Sequence, residues 1–112
     1  MRVAQVTFDC LDPEALAGWW ADALDSAVVV SDGFYTVATD GGPALGFQYV
    51  AQPTAGKNRV HLDFDVSQDL GSALAKLRAK GALVIRRQEV PGLDWVVMSD
   101  PAGNQFCLAE AH

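Results

Sequence analysis

Apolar and polar residues alternate one by one along Val3–Cys10. Val6, Phe8 and Cys10 fall on one side, and Gln5, Thr7 and Asp9 on the other. A period of two predicts a strand with one buried and one polar face. The same alternation returns along Arg59–Val66, where Val60, Leu62, Phe64 and Val66 oppose His61, Asp63 and Asp65. After each of these strands the spacing lengthens to that of a helix. Leu16, Trp19, Trp20, Ala23 and Leu24 form the first stripe, with Asp12 as the expected cap, Pro13 in the first turn and Glu14 near the positive end of the dipole. Leu70, Ala73, Leu74 and Leu77 form the second, with Ser67 as the expected cap and Gly81 as the stop. The Trp19–Trp20 pair is explained by stripe spacing and is assigned to the core.

Six shorter strands are expected near Ala27–Ser31, Tyr35–Thr39, Ala44–Val50, Leu83–Glu89, Asp94–Ser99 and Gln105–Glu110. Gly41-Gly42-Pro43, Pro91-Gly92 and Asp100–Asn104 carry the turn chemistry that separates some of them. The pattern therefore runs twice. An offset of 56 residues (61 − 5) lays Gln5 on His61, Thr7 on Asp63, Phe8 on Phe64 and Asp9 on Asp65. Internal repetition at long period outranks other fold signals. It predicts an α+β chain of two βαβββ modules, 1–51 and 59–112, within one domain spanning 1–112. The segment Gln52–Asn58 joins the modules. Each module is expected to be a mostly antiparallel sheet, with its helix on the outer face and its polar face turned to a concave, cupped surface. A site is expected in the cleft between the copies.

Charge and composition narrow the partners. The 112 residues carry a net charge of −6, and the only adjacent basic pair is Arg86–Arg87. Phosphate binding needs clustered Lys and Arg, so nucleic acid and anionic membranes are not expected partners. Arg86–Arg87 reads as a solvated strand edge. No apolar run is long enough to span a bilayer, and the N-terminal segment reads as a strand rather than a signal peptide. Cys10 and Cys107 sit inside strand patterns and read as free thiols of a cytoplasmic protein. Exposed sheet edges lead to the expectation of a homodimer.

The helix residues WWADAL, the strand RVHLDFDV, the GA after the second helix and above all SDPAGNQFCL together resemble the vicinal oxygen chelate superfamily. That superfamily includes glyoxalase I, extradiol dioxygenases and bleomycin-resistance proteins, and the resemblance runs over the whole chain. It implies the duplicated fold inferred above and often a divalent metal such as Zn, Ni, Co, Mn or Fe, held by the first and last strands of each module. Carried over by position, the resemblance implies Gln5, Gln48, His61 and Cys107 as the metal set. Gln48 enters by laying GFQYV over QFCLA. This set departs from the family pattern. It offers an amide, Gln48, and a thiol, Cys107, where carboxylates are usual, and a divalent ion favours at least one anionic ligand.

Three functions follow as alternatives. In the first, the protein binds a small molecule in an apolar cleft, with Trp95 as a wall, His61, Gln5 and Gln48 as orienting polar groups, and Thr7, Asp9 and Asp63 as further contacts. In the second, it is a divalent-metal-dependent lyase or isomerase of glyoxalase type. In the third, it is a structural or interaction module whose cleft its own side chains fill. The first is favoured, because the polar set is larger than a filled core tolerates. Whether the chain is an enzyme stays open, and no cofactor is assigned beyond the possible metal. Robust glyoxalase I activity is not expected. An amide cannot act as the base, and Asp63 is set about 6–7 Å along the strand from His61.

Overall fold

A computed structural model describes residues 1–66 and 69–111. The chain divides into two compact units, Met1–Ala55 and Gly56–His112. The boundary falls inside the expected linker.

The first unit contains β1 (Gln5–Cys10), α1 (Pro13–Ala23), β2 (Val28–Ser31), β3 (Phe34–Val37) and β4 (Ala44–Tyr49). The second contains β5 (Leu62–Asp65), α2 (Leu70–Ala79), β6 (Leu83–Val90), β7 (Leu93–Ser99) and β8 (Gln105–Ala111). The sheets have the orders β1-β4-β3-β2 and β5-β8-β7-β6. In each sheet the first pair is parallel and the other two are antiparallel. The α+β architecture of two βαβββ units with mostly antiparallel sheets is thus as expected, with strand ends shifted by a few residues at most.

α1 starts where the sequence places it. The Asp12 carboxylate accepts from the Ala15 amide at 3.1 Å, which satisfies one of the amides left open at a helix start. Leu16, Ala17, Trp20 and Ala21 are buried, as are Val37, Leu45 and Phe47 of the sheet. Phe8 meets Trp20 and Phe47 edge-on at 6.1 and 5.1 Å, and Trp19 meets Trp20 at 5.0 Å. This edge-to-face geometry suits the ring quadrupoles.

α2 is capped differently from the expectation. Its N-cap is Asp69, whose carboxylate accepts from the Ser72 amide at 2.9 Å and from its hydroxyl at 2.7 Å. Ser67 lies outside the described residues. Glu110, from β8, accepts the Leu70 amide at 2.9 Å. Glu110 therefore serves the helix-covered side of its sheet, as strand alternation from Cys107 implies. Leu70 and Leu77 are buried from α2, and Val96, Met98, Phe106 and Leu108 from β7 and β8.

β5 is shorter than its alternating run for a local reason. In the parallel register, Leu62 pairs with Phe106, so His61 would pair with Gln105. The Asn58 side chain takes that place. Its Nδ2 donates to the Gln105 carbonyl at 3.0 Å and to the Val60 carbonyl at 2.6 Å, and its Oδ1 accepts from the Gln105 amide at 2.8 Å. The end of the expected linker is therefore part of the second unit. Just before Gln105, the buried Asp100 closes a turn by accepting from the Ala102 and Asn104 amides and from Asn104 Nδ2, each at 2.9 Å.

Candidate functional site

The polar face of the first unit satisfies itself. Gln5 Nε2 donates to Thr7 Oγ1 at 3.0 Å, and Gln48 Nε2 donates to Asp9 Oδ1 at 2.7 Å. Asp9 is thus answered by an amide across the β1–β4 pair, where its Cα partner is Gln48. All four side chains are exposed.

The strand pairing also corrects the symmetry of the sequence analysis. Thr7 pairs with Gly46, whereas Asp63 pairs with Cys107. Since Thr7 corresponds to Asp63, the first-unit residue in the place of Cys107 is Gly46, not Gln48. Overlaying GFQYV on QFCLA is therefore off by two residues. Gln48 keeps the same face, because two residues restore the parity of a strand. A side chain at position 46 has little room. A Cβ there would meet the Gln5 amide group, with Cδ at 2.9 Å, and the Phe34 ring at 3.0 Å.

The second unit brings His61, Asp63 and Cys107 together. His61 Nδ1 lies 2.9 Å from Asp63 Oδ1, and the ligand atoms of all three lie within 4.8 Å of one another. His61 sits at the polar face as expected and keeps 43 % of its side chain exposed. The expectation that Asp63 is too far from His61 is overturned. Strand rise separates the Cα atoms, but residues two apart share a face and their side chains lean together. Cys107 donates to Asp63. Partial burial and then that hydrogen bond and charge push its thiol above the ordinary range, against a smaller downward pull from Arg86 and Lys57. No basic neighbour was legible in sequence near Cys107, yet two stand close in space.

These residues open onto a cavity of about 290 Å³ wholly within the second unit. Trp95, Leu93, Val97 and Phe106 give it apolar walls, while Lys57, Arg86, Gln105, His61 and Asp63 supply polar atoms. Trp95 thus forms one wall of this cavity. Lys57, Arg86 and Gln105 were not singled out. Lys57 hid in the linker, and Arg86 was read with Arg87 as a solvated edge.

A bulge decides which of the two arginines faces the cavity. β6 pairs Val84 with Met98 but Arg86 with Val97, leaving Ile85 as an extra residue. Beyond a bulge the parity of a strand reverses. Arg86 therefore shares the face of Val97 and Trp95, while Arg87 pairs with Val96 and lies 3.7 Å from Glu89. No hydrophobic period reveals a single inserted residue on a strand exposed along its length.

A glyoxalase-like domain family model matches residues 5–109. Among solved structures, a glyoxalase/bleomycin resistance protein/dioxygenase family enzyme from Burkholderia phytofirmans PsJN is 21 % identical. It is aligned over 100 % of both chains with a TM-score of 0.82. A glyoxalase/bleomycin resistance protein/dioxygenase from Nocardioides is 16 % identical, covering 99 % of this chain and 83 % of its own, at a TM-score of 0.80. TioX from Micromonospora sp. ML1 is 16 % identical over 100 % of both chains, at 0.72. At these identities the likeness is one of fold. No curated protein matches the chain in sequence.

Proposed function

Because the chain belongs to the glyoxalase-like domain family, whose fold is shared by enzymes and resistance proteins, we propose that it binds a small molecule on the polar face of its second unit. The observation that carries this reading is the cavity walled by Trp95, Leu93, Val97 and Phe106 and rimmed by polar side chains. A concave apolar pocket with a few convergent polar groups is the usual form of a ligand site. Asp63 contributes to the rim. Thr7 and Asp9 belong to the first unit and are engaged by Gln5 and Gln48, so they have a weaker claim as ligand contacts. The test is native mass spectrometry of the protein taken from cell extract under gentle conditions. A retained small molecule, lost on Trp95→Ala without loss of fold, is the expected result. Retention unchanged in that variant would sink the assignment.

The His61–Asp63–Cys107 cluster favours a second reading, in which the site holds a divalent ion. The donor set fits: an imidazole nitrogen, a carboxylate oxygen and a sulfur suit zinc or cobalt, and two of the three can be anionic. Asp63 thus adds to His61 and Cys107 a carboxylate that the resemblance did not place in the set. Such an ion would supply Lewis acidity to a bound oxygen. His61 and Cys107 would hold it, and Asp63 would either join them or orient His61 through Nδ1. Titration with cobalt tests this reading through the thiolate charge-transfer band, which is expected to disappear in Cys107→Ser. A lyase or isomerase further requires turnover of the glutathione hemithioacetal of methylglyoxal above a metal-only blank, abolished by His61→Ala.

Two smaller proposals accompany the first. β6 is an edge strand exposed along all eight residues and suits a homodimer contact, which sedimentation at micromolar concentration would detect. Neither cysteine is joined in a disulfide, which suits a reducing compartment such as the cytoplasm. No helix among the described residues is long and apolar enough to cross a membrane.

A further inference from the structure

The chain is acidic, yet its cavity is not. Of the fixed charges that line it, Lys57 and Arg86 are positive and Asp63 is negative, a balance of 2 − 1 = +1 on a protein of net charge −6. The charges are also unequally occupied. Asp63 already accepts from His61 and Cys107. Among the described residues, no carboxylate forms an ion pair with Lys57 or Arg86, whereas the adjacent Arg87 lies against Glu89. The bulge at Ile85 directs Arg86 to the cavity face beside Val97, next to Trp95. Two uncommitted cations thus border a wall made of an indole and three apolar side chains.

The geometry points to a ligand of one chemical class: a small, flat, apolar body bearing a single anionic oxygen group, such as an aromatic carboxylate. This inference rests on the small-molecule reading above and names what that site selects. The flat body lies against Trp95 and Leu93, where burial of apolar surface supplies affinity. The anion is met by Arg86, whose planar fork suits a carboxylate in two-point contact, with Lys57 as a second positive charge. The roughly 290 Å³ volume is at the small end of ligand pockets and limits the body to one or two rings. A cationic ligand would face two like charges and find Asp63 already engaged. A neutral ligand of the same shape would leave both cations unanswered.

The test compares three probes of one shape: 2-naphthoate, 2-naphthalenemethanol and 2-naphthylmethylamine, titrated calorimetrically into the intact protein at low and moderate salt. Naphthoate is expected to bind roughly tenfold or more tightly than the alcohol, since a charge-assisted hydrogen bond is strong. The amine is expected to bind most weakly. Added salt should narrow the gap, because these cations stand at an open rim. Arg86→Gln should bring naphthoate down to the alcohol while leaving the alcohol unchanged, and Lys57→Gln should do so in part. Arg87→Gln, on the opposite face, should change neither. Equal binding of acid and alcohol overturns the anion inference and leaves the pocket reading standing. Equal losses in Arg86→Gln and Arg87→Gln also overturn it, since a diffuse field would then explain the preference. Failure of all three probes to bind at millimolar concentration overturns both readings together.

Discussion

The two units share one chain path and differ in what they do with it. Each carries an alternating first strand, an outer helix and three further strands in the same order of pairing. The first unit invests in its core. Phe8, Trp19, Trp20 and Phe47 form a connected aromatic set, and four residues of α1 are buried. Its polar face is quiet, with Gln5 on Thr7, Gln48 on Asp9 and a glycine at position 46. Among the described residues the second unit buries eight apolar side chains, as many as the first, with one aromatic ring (Phe106) where the first has two (Trp20 and Phe47), and it has the richer surface chemistry. The equivalent of Gly46 is Cys107, and around it stand an imidazole, a carboxylate and two cations. The lesson is that a duplicated backbone can keep its packing in both copies and gather its site chemistry in one.

The interior half of this contrast gives the largest expected effect. Trp20→Ala should destabilise the protein by about 3–5 kcal/mol, because a nearly inaccessible indole leaves a cavity. Leu77→Ala in α2 should lose about 2 kcal/mol, at the low end for such a change, because the leucine retains some exposure. Urea unfolding of both variants checks the order, and a larger loss at Leu77 would break the comparison.

Gly46→Ala tests the quiet face. It should destabilise by about 1 kcal/mol through crowding of Gln5 and Phe34. Adding Gln5→Ala should recover part of that loss, since one of the two obstacles is the flexible end of a side chain. Strict additivity would mean that the Phe34 ring alone limits the site.

The helix starts give a subtler contrast. Asp12→Ala should lose about 1 kcal/mol. Asp69→Ala should also destabilise, with a characteristic pH dependence. The hydroxyl and amide of Ser72 hold the Asp69 carboxyl below its usual range. Its contribution is therefore present above the ordinary carboxylate value near 3.9 and is lost as pH falls through that value toward the lower folded one. The gap between wild type and Asp69→Ala should close on acidification.

The smallest effect sharpens the chemical half. The Cys107 thiol is raised by burial and by Asp63. Its alkylation should be slow at about pH 8 and should accelerate in Asp63→Asn, followed by peptide mass spectrometry. The linked stability effect has the opposite sign from Asp69. Nothing is lost below the ordinary thiol range. Above it the unfolded chain releases a proton that the folded chain retains, so stability falls with rising pH. An unchanged rate in Asp63→Asn would mean that the carboxylate does not govern the thiol.

Much of this was legible in sequence. Val6, Phe8 and Cys10 against Gln5, Thr7 and Asp9, repeated 56 residues on, carried the duplicated fold and the polar faces (61 − 5 = 56). His61 and Cys107 entered through the family resemblance carried over by position, and Trp95 through its place on the seventh strand. What escaped was whatever parity does not encode. Asn58 looked like linker because its structural role is a side chain imitating backbone. Asp63 was excluded from the metal set on Cα spacing although its carboxylate reaches the neighbouring ring. Gly46 was missed because symmetry was read from similar letters rather than from paired strands.

The bulge at Ile85 has an electrostatic meaning beyond its geometry. Which of two neighbouring arginines borders the cavity depends on Ile85 standing outside the ladder. Were Ile85 paired with Val97, Arg86 would fall opposite Val96, and Arg87 and Glu89 would both turn to the cavity face, where their charges would cancel. One residue left out of the ladder of an edge strand thus sends a single positive charge to the ligand and keeps the neighbouring ion pair on the far side.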